Sequence, residues 1–336
     1  MKVRRITQHE VARVAGVSQA TVSMVLAGAQ AHGIPQETFD RVMKVAAELG
    51  YVPNHAAQVL KTNRTMTIAC VVPDVANPFY PSLVRGVQSV ADAAGYDVIA
   101  VNTDGLASRE QRFLDWSLRG TIDGVVGVFF TVRAPDFEAM AQAGIGIVRI
   151  ETSPKRGGSL PIDNLFVDNV AAASAATRYL IERGHSRIAM IAGIGGPQGN
   201  RVHGYLDALG KAGLTSQLVS YGEFNEEGGC RAARDVLAVS PRPTAIFAAN
   251  DLMALGAMRA IREEGLSVPD DVAVMGFDDI FAASVVTPPL STINQFQETL
   301  GRVAAEMVLQ RLNELPPGDP GRSREMPYQL VMRQSA

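Results

Sequence analysis

The sequence predicts a small all-α headpiece followed by an α/β core of two parallel-sheet lobes. Three observations predict it. Two helix starts lie close together near the N-terminus, separated by a single glycine turn. From Met66 onward, apolar runs alternate with amphipathic helical stretches, the pattern of parallel sheets covered on both faces. The strand candidates are too numerous for one ordinary sheet, and 336 residues exceed one simple core, so two lobes are expected.

The headpiece comes first. Thr7 and Glu10 form an S/T-x-x-E capping box, so a helix can begin at Gln8. Gly16 gives the turn its backbone freedom, and Ser18 can cap a second helix from Gln19 to about Leu26. This is the helix-turn-helix layout, in which the second helix enters the major groove of DNA. A third helix has Pro35 near its start and Gly50 at its end, with Phe39, Val42, Met43, Ala46 and Leu49 on one face. That face is expected to pack on Val11, Val14, Val22 and Val25. Charge is divided the same way. Residues 1–65 carry eight Lys/Arg against four Asp/Glu (net +4), leaving 23 against 30 (net −7) for the rest, so only the first part suits a polyanion.

In the core, strand candidates are Thr67–Val72, Asp97–Val101, Gly124–Phe129, Ile145–Ile150, Arg187–Ala192, Ala245–Ala248 and Val272–Phe277. Helical stretches include Ser82–Ala94, Ala171–Arg183 and Leu252–Glu264. The expected divisions are a headpiece over 1–50, a hinge segment over 51–65 and a core over 66–336. The first lobe takes about 66–163 plus 291–325, and the second about 164–290 plus 326–336. Cys70 and Cys230 are too few for a disulfide framework and are expected to be buried, reduced thiols, which fits the cytoplasm. No apolar segment follows the basic N-terminal residues as a secretory signal would, and no apolar run is long enough to span a membrane.

Several short runs then converge. Val17-Ser18-Gln19-Ala20-Thr21-Val22-Ser23, Leu49-Gly50-Tyr51-Val52-Pro53-Asn54, Val72-Pro73-Asp74, Asn77-Pro78-Phe79, Asp168-Asn169, Arg183-Gly184-His185, Asn250-Asp251 and Gly276-Phe277-Asp278-Asp279 occur in this order. The set resembles the LacI/GalR family of bacterial transcriptional regulators over essentially the whole chain. The resemblance implies a homodimer or tetramer that binds near-palindromic operator DNA, and a periplasmic-binding-protein-like core holding a small effector between its lobes. It implies a repressor controlled allosterically by a sugar or sugar derivative. A purine- or nucleoside-responsive regulator is the alternative. Neither cofactor nor metal is implied.

On the DNA side, the resemblance assigns base reading to Gln19, Ala20 and Met24. Gln19 can pair with adenine, and Ala20 can touch a thymine methyl group. Met24 stands where the family usually has an arginine, whose loss removes ~1–3 kcal/mol of discrimination, and Ala27 replaces a common asparagine. Thr7, Ser18, Thr21 and Ser23 suit phosphate contacts, which position without specifying. For Thr7 and Ser18, helix capping is the other role. Leu60 aligns with the family's hinge leucine, with Ala57 one turn earlier, and implies insertion into the minor groove.

On the effector side, candidates sit at the carboxyl ends of expected strands, where parallel sheets bind ligands. Phe79 offers a stacking face, and Asn77, Asn102 and Asp104 lie nearby in the first lobe. Asp168, Asn169, Arg201, Phe224, Asn250 and Asp278 come from the second lobe. Arg201, Asn250 and Asp278 match the family's ligand-contacting positions, and Phe224 an aromatic wall. For each, a loop-capping role is the alternative. Arg149 lies in an apolar strand and needs an anionic partner, either Glu151 or an acidic effector. Together with Arg201 it points to a sugar acid or a phosphorylated ligand.

Two rival classes remain. The Gly193–Gly199 loop lacks the G-x-G-x-x-G spacing of a dinucleotide site, and neither a nucleophile elbow nor metal-spaced His/Cys residues occur, so an enzyme is not expected. A sugar-capture receptor without a DNA role would not need the headpiece.

Overall fold

The computed structural model describes residues 6–26, 33–52, 59, 62–154, 158–214, 218–316 and 318–336. The chain divides into two compact units, Met1–Thr65 and Met66–Ala336.

The first unit holds α1 (Gln8–Ala15), α2 (Gln19–Leu26) and α3 (Gln36–Glu48). The Thr7/Glu10 box forms in both directions: Glu10 N donates to Thr7 Oγ1 at 3.3 Å and Thr7 N to Glu10 Oε2 at 2.8 Å. Gly16 closes α1 with φ 67°, and Thr21 N donates to Ser18 Oγ at 3.0 Å to start α2. Val11, Ala12, Ala15, Val22, Val25, Val42, Val45 and Ala46 form the core, flanked by Phe39 and Leu49. Val14 and Met43, expected inside, are 52% and 44% exposed. At 3.6 residues per turn each falls about 100° round its helix from the centre of the buried stripe. Val45 takes the inward place on α3 that the sequence reading gave to Met43.

The second unit runs β1 (Thr67–Val72), α4 (Phe79–Ala93), β2 (Asp97–Asn102), α5 (Ala107–Ser117), β3 (Gly124–Gly127), α6 (Glu138–Gln142), β4 (Gly146–Glu151), β5 (Ile162–Val167), α7 (Asn169–Glu182), β6 (Ile188–Gly193), α8 (Gln198–Lys211), β7 (Leu218–Gly222), α9 (Glu226–Leu237), β8 (Ala245–Ala248), α10 (Asp251–Glu263), β9 (Ala273–Met275), α11 (Phe281–Val285), β10 (Thr292–Asn294), α12 (Gln297–Asn313), β11 (Ser323–Met326) and β12 (Gln329–Val331). The first lobe carries a parallel sheet of order β11-β5-β4-β3-β1-β2, and the second one of order β7-β6-β8-β9. Alternation along β1 shows why both faces are apolar. Ile68, Cys70 and Val72 join a cluster with Leu83 and Val308, whereas Ala69 and Val71 join one with Phe113 and Phe137. Cys70 and Cys230 are free and buried, and burial pushes the Cys70 thiol up to about 12. No helix of the described residues is long and apolar enough to cross a membrane.

The lobe boundaries depart from the sequence reading. Residue 163 is not a boundary, because Ile162–Val167 is a strand of the first sheet. Asp163 and Asn164 interrupt its apolar run, which hid it, yet Asp163 is fully buried. Its carboxylate accepts from Arg311 Nη2 at 2.5 Å, from Arg322 Nη2 at 2.7 Å and from the Arg322 amide at 2.8 Å. Burial alone would raise Asp163; the hydrogen bonds from Arg322 and Arg311 outweigh it and hold the group below the usual carboxylate range. Residues 291–295 belong with the second lobe, since β10 pairs antiparallel with β12 and Ile293 joins that lobe's core. The chain therefore passes between lobes after β5, between β10 and α12, and between β11 and β12.

Candidate functional site

A cavity of about 740 Å³ lies in the Met66–Ala336 unit, where the carboxyl ends of both sheets face each other. The segment after each of the strands β1 to β9 reaches it: Asp74, Asp104, Phe130, Thr152, Asn169, Gly195, Phe224, Asn250 and Asp278 in turn. A cleft lined by loops of two packed sheets is the usual place for a small ligand.

Arg201 is the pivot. It projects from the first turn of α8 and is 5% exposed. Its Nε donates to Asn169 Oδ1 at 2.7 Å, Nη1 donates to the Ala249 carbonyl, and Nη2 lies 3.8 Å from Asp278 Oδ1. Its guanidinium stacks over Phe277, 3.8 Å from the ring centroid. Burial lowers its pKa, against the opposing pull of Asp278. Asp278 is held at φ 123°, a strained conformation, with its amide donating to Ile293 O at 2.8 Å. Its carboxylate accepts from Gln295 Nε2 at 2.7 Å. Burial pushes Asp278 up to about 7; Arg201 and Gln295 pull it down and nearby Asp251 pushes it further up. Asp251, wholly buried and bonded to Thr292 Oγ1 at 2.5 Å and the Ile280 amide at 2.9 Å, is likewise raised by burial to about 6. Tyr80 beside them is raised by burial and by Asp278.

Of the effector candidates, Asn77, Phe79, Asp104, Asn169, Arg201, Phe224, Asn250 and Asp278 line the cavity together. Capping and lining coexist in several. Asn250 Oδ1 accepts from Met253 N at 2.8 Å while its Nδ2 donates to Phe224 O at 3.3 Å. Asn77 Oδ1 accepts from Phe79 N at 3.0 Å. Three candidates do not line it. Asn102 donates to Asp104 at 2.5 Å and accepts from Val75 N, so it shapes the loop behind Asp104. Asp168 caps α7 through Val170 N and Ala171 N, both at 3.0 Å. Arg149 pairs with Glu151 at 2.5 Å and lies over Phe137, turned from the cavity. Its anionic partner is thus a protein group. Lining residues missed by sequence reading include Tyr80, Phe130, Thr131, Thr152, Glu223, Asn225 and Gln295. Phe130 was within reach, because it follows Val128-Phe129 at a strand end; Gln295 was not, because β10 is only three residues long.

In the headpiece, Gln19, Ala20 and Met24 are exposed along one side of α2, opposite buried Val22 and Val25. Thr21 and Ser23 are half-buried, and Thr7 and Ser18 are exposed while serving as caps. The expectations for Ala27, Ala57 and Leu60 fall outside the described residues.

Fold and cavity together define a two-lobed receptor core of the periplasmic-binding-protein class, preceded by a helix-turn-helix unit. Residues 7–54 match the family described as "Bacterial regulatory proteins, lacI family", and residues 177–336 match the "Periplasmic binding protein-like domain". The ribose operon repressor of Escherichia coli (strain K12) is 36% identical, covering 92% of this chain and 93% of its own length. The structure of the transcriptional regulator CelR in complex with cellobiose is 32% identical with a TM-score of 0.72, over 99% of this chain and 100% of that one. The lac repressor dimer bound to operator and the anti-inducer ONPF superposes with a TM-score of 0.85 at 27% identity, covering 99% of each. The chain belongs to the LacI family of bacterial transcriptional regulators.

Proposed function

We propose that this regulator is a cytoplasmic, homodimeric repressor that binds a near-palindromic operator, and that a small, uncharged, sugar-like effector in the cavity controls its grip. The observation that carries the reading is the cavity itself, formed by strand ends of two lobes in a chain that also carries a helix-turn-helix unit. The relatives named for ribose and the CelR complex with cellobiose support a sugar.

The charge of the lining supports an uncharged one. Asp74, Asp104, Glu151, Glu223 and Asp278 line the cavity, against Arg201 as the one cation among the described lining residues. Arg109, Arg149 and Arg231 pair with Asp104, Glu151 and Glu223 without lining it. Carboxylates accept hydrogen bonds and donate none, so they suit hydroxyl-rich ligands. The lining cation Arg201 already faces Asp278 and does not offer a phosphate or carboxylate group an unshared positive charge. The same asymmetry favours a polyol over a purine base, which has few donors. The acidic or phosphorylated effector suggested by Arg149 is therefore not favoured.

Binding across the lobes changes their relative angle, and in the dimer that shift biases the hinge segments and with them DNA affinity. A dimer also covers exposed apolar surface. Ile99 lies on the edge strand β2, and Phe281 and Val285 on α11 are 81% and 61% exposed. Sedimentation analysis checks it, with Phe281→Glu expected to shift the population toward monomer.

The central test pairs a thermal-shift screen of the full chain with gel-shift titration. Its panel holds neutral sugars, their acids and phosphates, purines and nucleosides. A neutral sugar should raise Tm and alter operator binding, and operator affinity should fall steeply with salt. Stabilisation by an acid or phosphate but not by its neutral parent would overturn the charge reading. Equal affinity for all duplexes would overturn the regulator itself. For base reading, Gln19→Ala should erase ~1–3 kcal/mol of preference at one operator position and leave effector binding unchanged. Selection from a random duplex pool checks this; an unaltered consensus contradicts it.

A further inference from the structure

The loop after β3 is held unusually firmly. Glu110 on α5 is fully buried, and its carboxylate accepts from the amides of Phe130, Thr131 and Val132 at 2.7, 2.9 and 3.1 Å, and from Thr131 Oγ1 at 2.5 Å. A buried charge with this many donors is compensated by them, so the loop has one well-defined path. Along that path Phe129 turns inward, with its ring centroid 4.9 Å from that of Phe137. Phe130 turns the other way and lines the cavity.

The Phe130 ring rests on two glycines from opposite lobes. A Cβ at Gly105, in the loop after β2, would lie 2.8 Å from Cδ2 of the ring; one at Gly196, after β6, would lie 2.8 Å from its Cζ. Both glycines have positive φ, 62° and 66°. Any side chain at either position would displace the ring. A polar contact accompanies it, since Asn200 Nδ2 donates to Thr152 Oγ1 across the lobes at 2.7 Å.

The sheet orders say which side of the cavity this is. In the first lobe the chain departs for the second from β5 and β11 at one edge, whereas Gly105 follows β2 at the other. In the second lobe β9, with Asp278 after it, lies at one edge, and Gly196 follows β6 on the far side of β8. Phe130 follows the central strand β3, but its ring meets Gly105 and Gly196 on the side of the cleft away from the connecting strands, and the residue is half-buried.

We infer that Phe130 is a door: its ring seals the mouth of the cavity between Gly105 and Gly196, and the size of residue 130 sets how fast the cavity exchanges its contents. This concerns passage rather than the identity of the occupant, so it stands or falls separately from the sugar reading.

The test needs no ligand. Ile150 lines the cavity and is half-buried, so Ile150→Cys in the full-length protein reports entry of N-ethylmaleimide. Cys70 and Cys230, both 0% exposed, supply a silent background. Adding Phe130→Ala should speed labelling of the reporter by about tenfold or more, with Phe130→Leu between, while the native cysteines stay unlabelled. Gly196→Ala should act in the same direction by expelling the ring. Equal labelling rates with and without Phe130→Ala would overturn the inference. So would native cysteines that become reactive in step with the reporter, because Phe130 would then be supporting the fold and not guarding an entrance.

Discussion

Arg201→Ala should abolish the effector response, leave operator binding in place and destabilise the core by on the order of 3–5 kcal/mol. The cost arises because the guanidinium faces Asp278 and also ties Asn169 and the Ala249 carbonyl together in a buried place. It should depend on pH in a defined sense. Asp278 ordinarily titrates at 3.8 and is raised in the folded protein to about 7. Between those values the native state holds a proton that the unfolded chain has released, so this group's contribution to stability fades as pH rises through that window. Without Arg201 the folded pKa moves higher still, and the window extends upward. The Tm deficit of Arg201→Ala should therefore grow between pH 6 and pH 8.5 and be nearly flat below pH 6. A uniform deficit would show that Asp278 does not sense the guanidinium.

Asp163→Ala should cost a similar ~3–5 kcal/mol at pH 7, for a different reason. Its removal strands Arg311, whose side chain is 7% exposed, and leaves Arg322 without its anion. Asp163 is depressed in the folded state, so its contribution is full above the ordinary carboxylate value and is lost as pH falls through the folded pKa. Urea unfolding should show the gap between wild type and Asp163→Ala narrowing in acid. A difference below about 1 kcal/mol at pH 7 would mean the two arginines find other partners. β5, α12 and the segment entering β11 are the first-lobe elements that feed the three passages to the other lobe, and Asp163, itself on β5, bonds to the other two. A carboxylate outside the cavity lining thus ties together the first-lobe ends of the connections between the lobes.

Much of this was legible beforehand, for physical reasons. Strands buried on both faces must be apolar throughout, so β1 and β8 appeared with the bounds that the structure gives them. Capping chemistry is local, so Thr7, Glu10, Gly16 and Ser18 announced the headpiece turn by turn. Asn250 and Asp278 follow strand ends and Arg201 came from the family resemblance; all three line the cavity. What stayed hidden depends on distant partners. β5 reads as polar until two arginines some 150 residues away neutralise Asp163. β7 and β11 are edge strands with exposed polar residues, and they acquire their identity only from a neighbour. Arg149 left two partners open, Glu151 or an acidic effector, because its strand is apolar, and the fold pairs it with Glu151. Phe130 gained its place from glycines on either side of a cleft.

The way the polypeptide threads its two units bears on how such regulators can be recombined. The headpiece ends at Thr65 and is never revisited, so grafting it onto another receptor requires a single seam. The lobes share three strands of traffic, and a chimaera that swapped one of them would need three matched joints at once. DNA preference is therefore the portable trait of this architecture, while a new effector preference has to be evolved in place, one cavity side chain at a time.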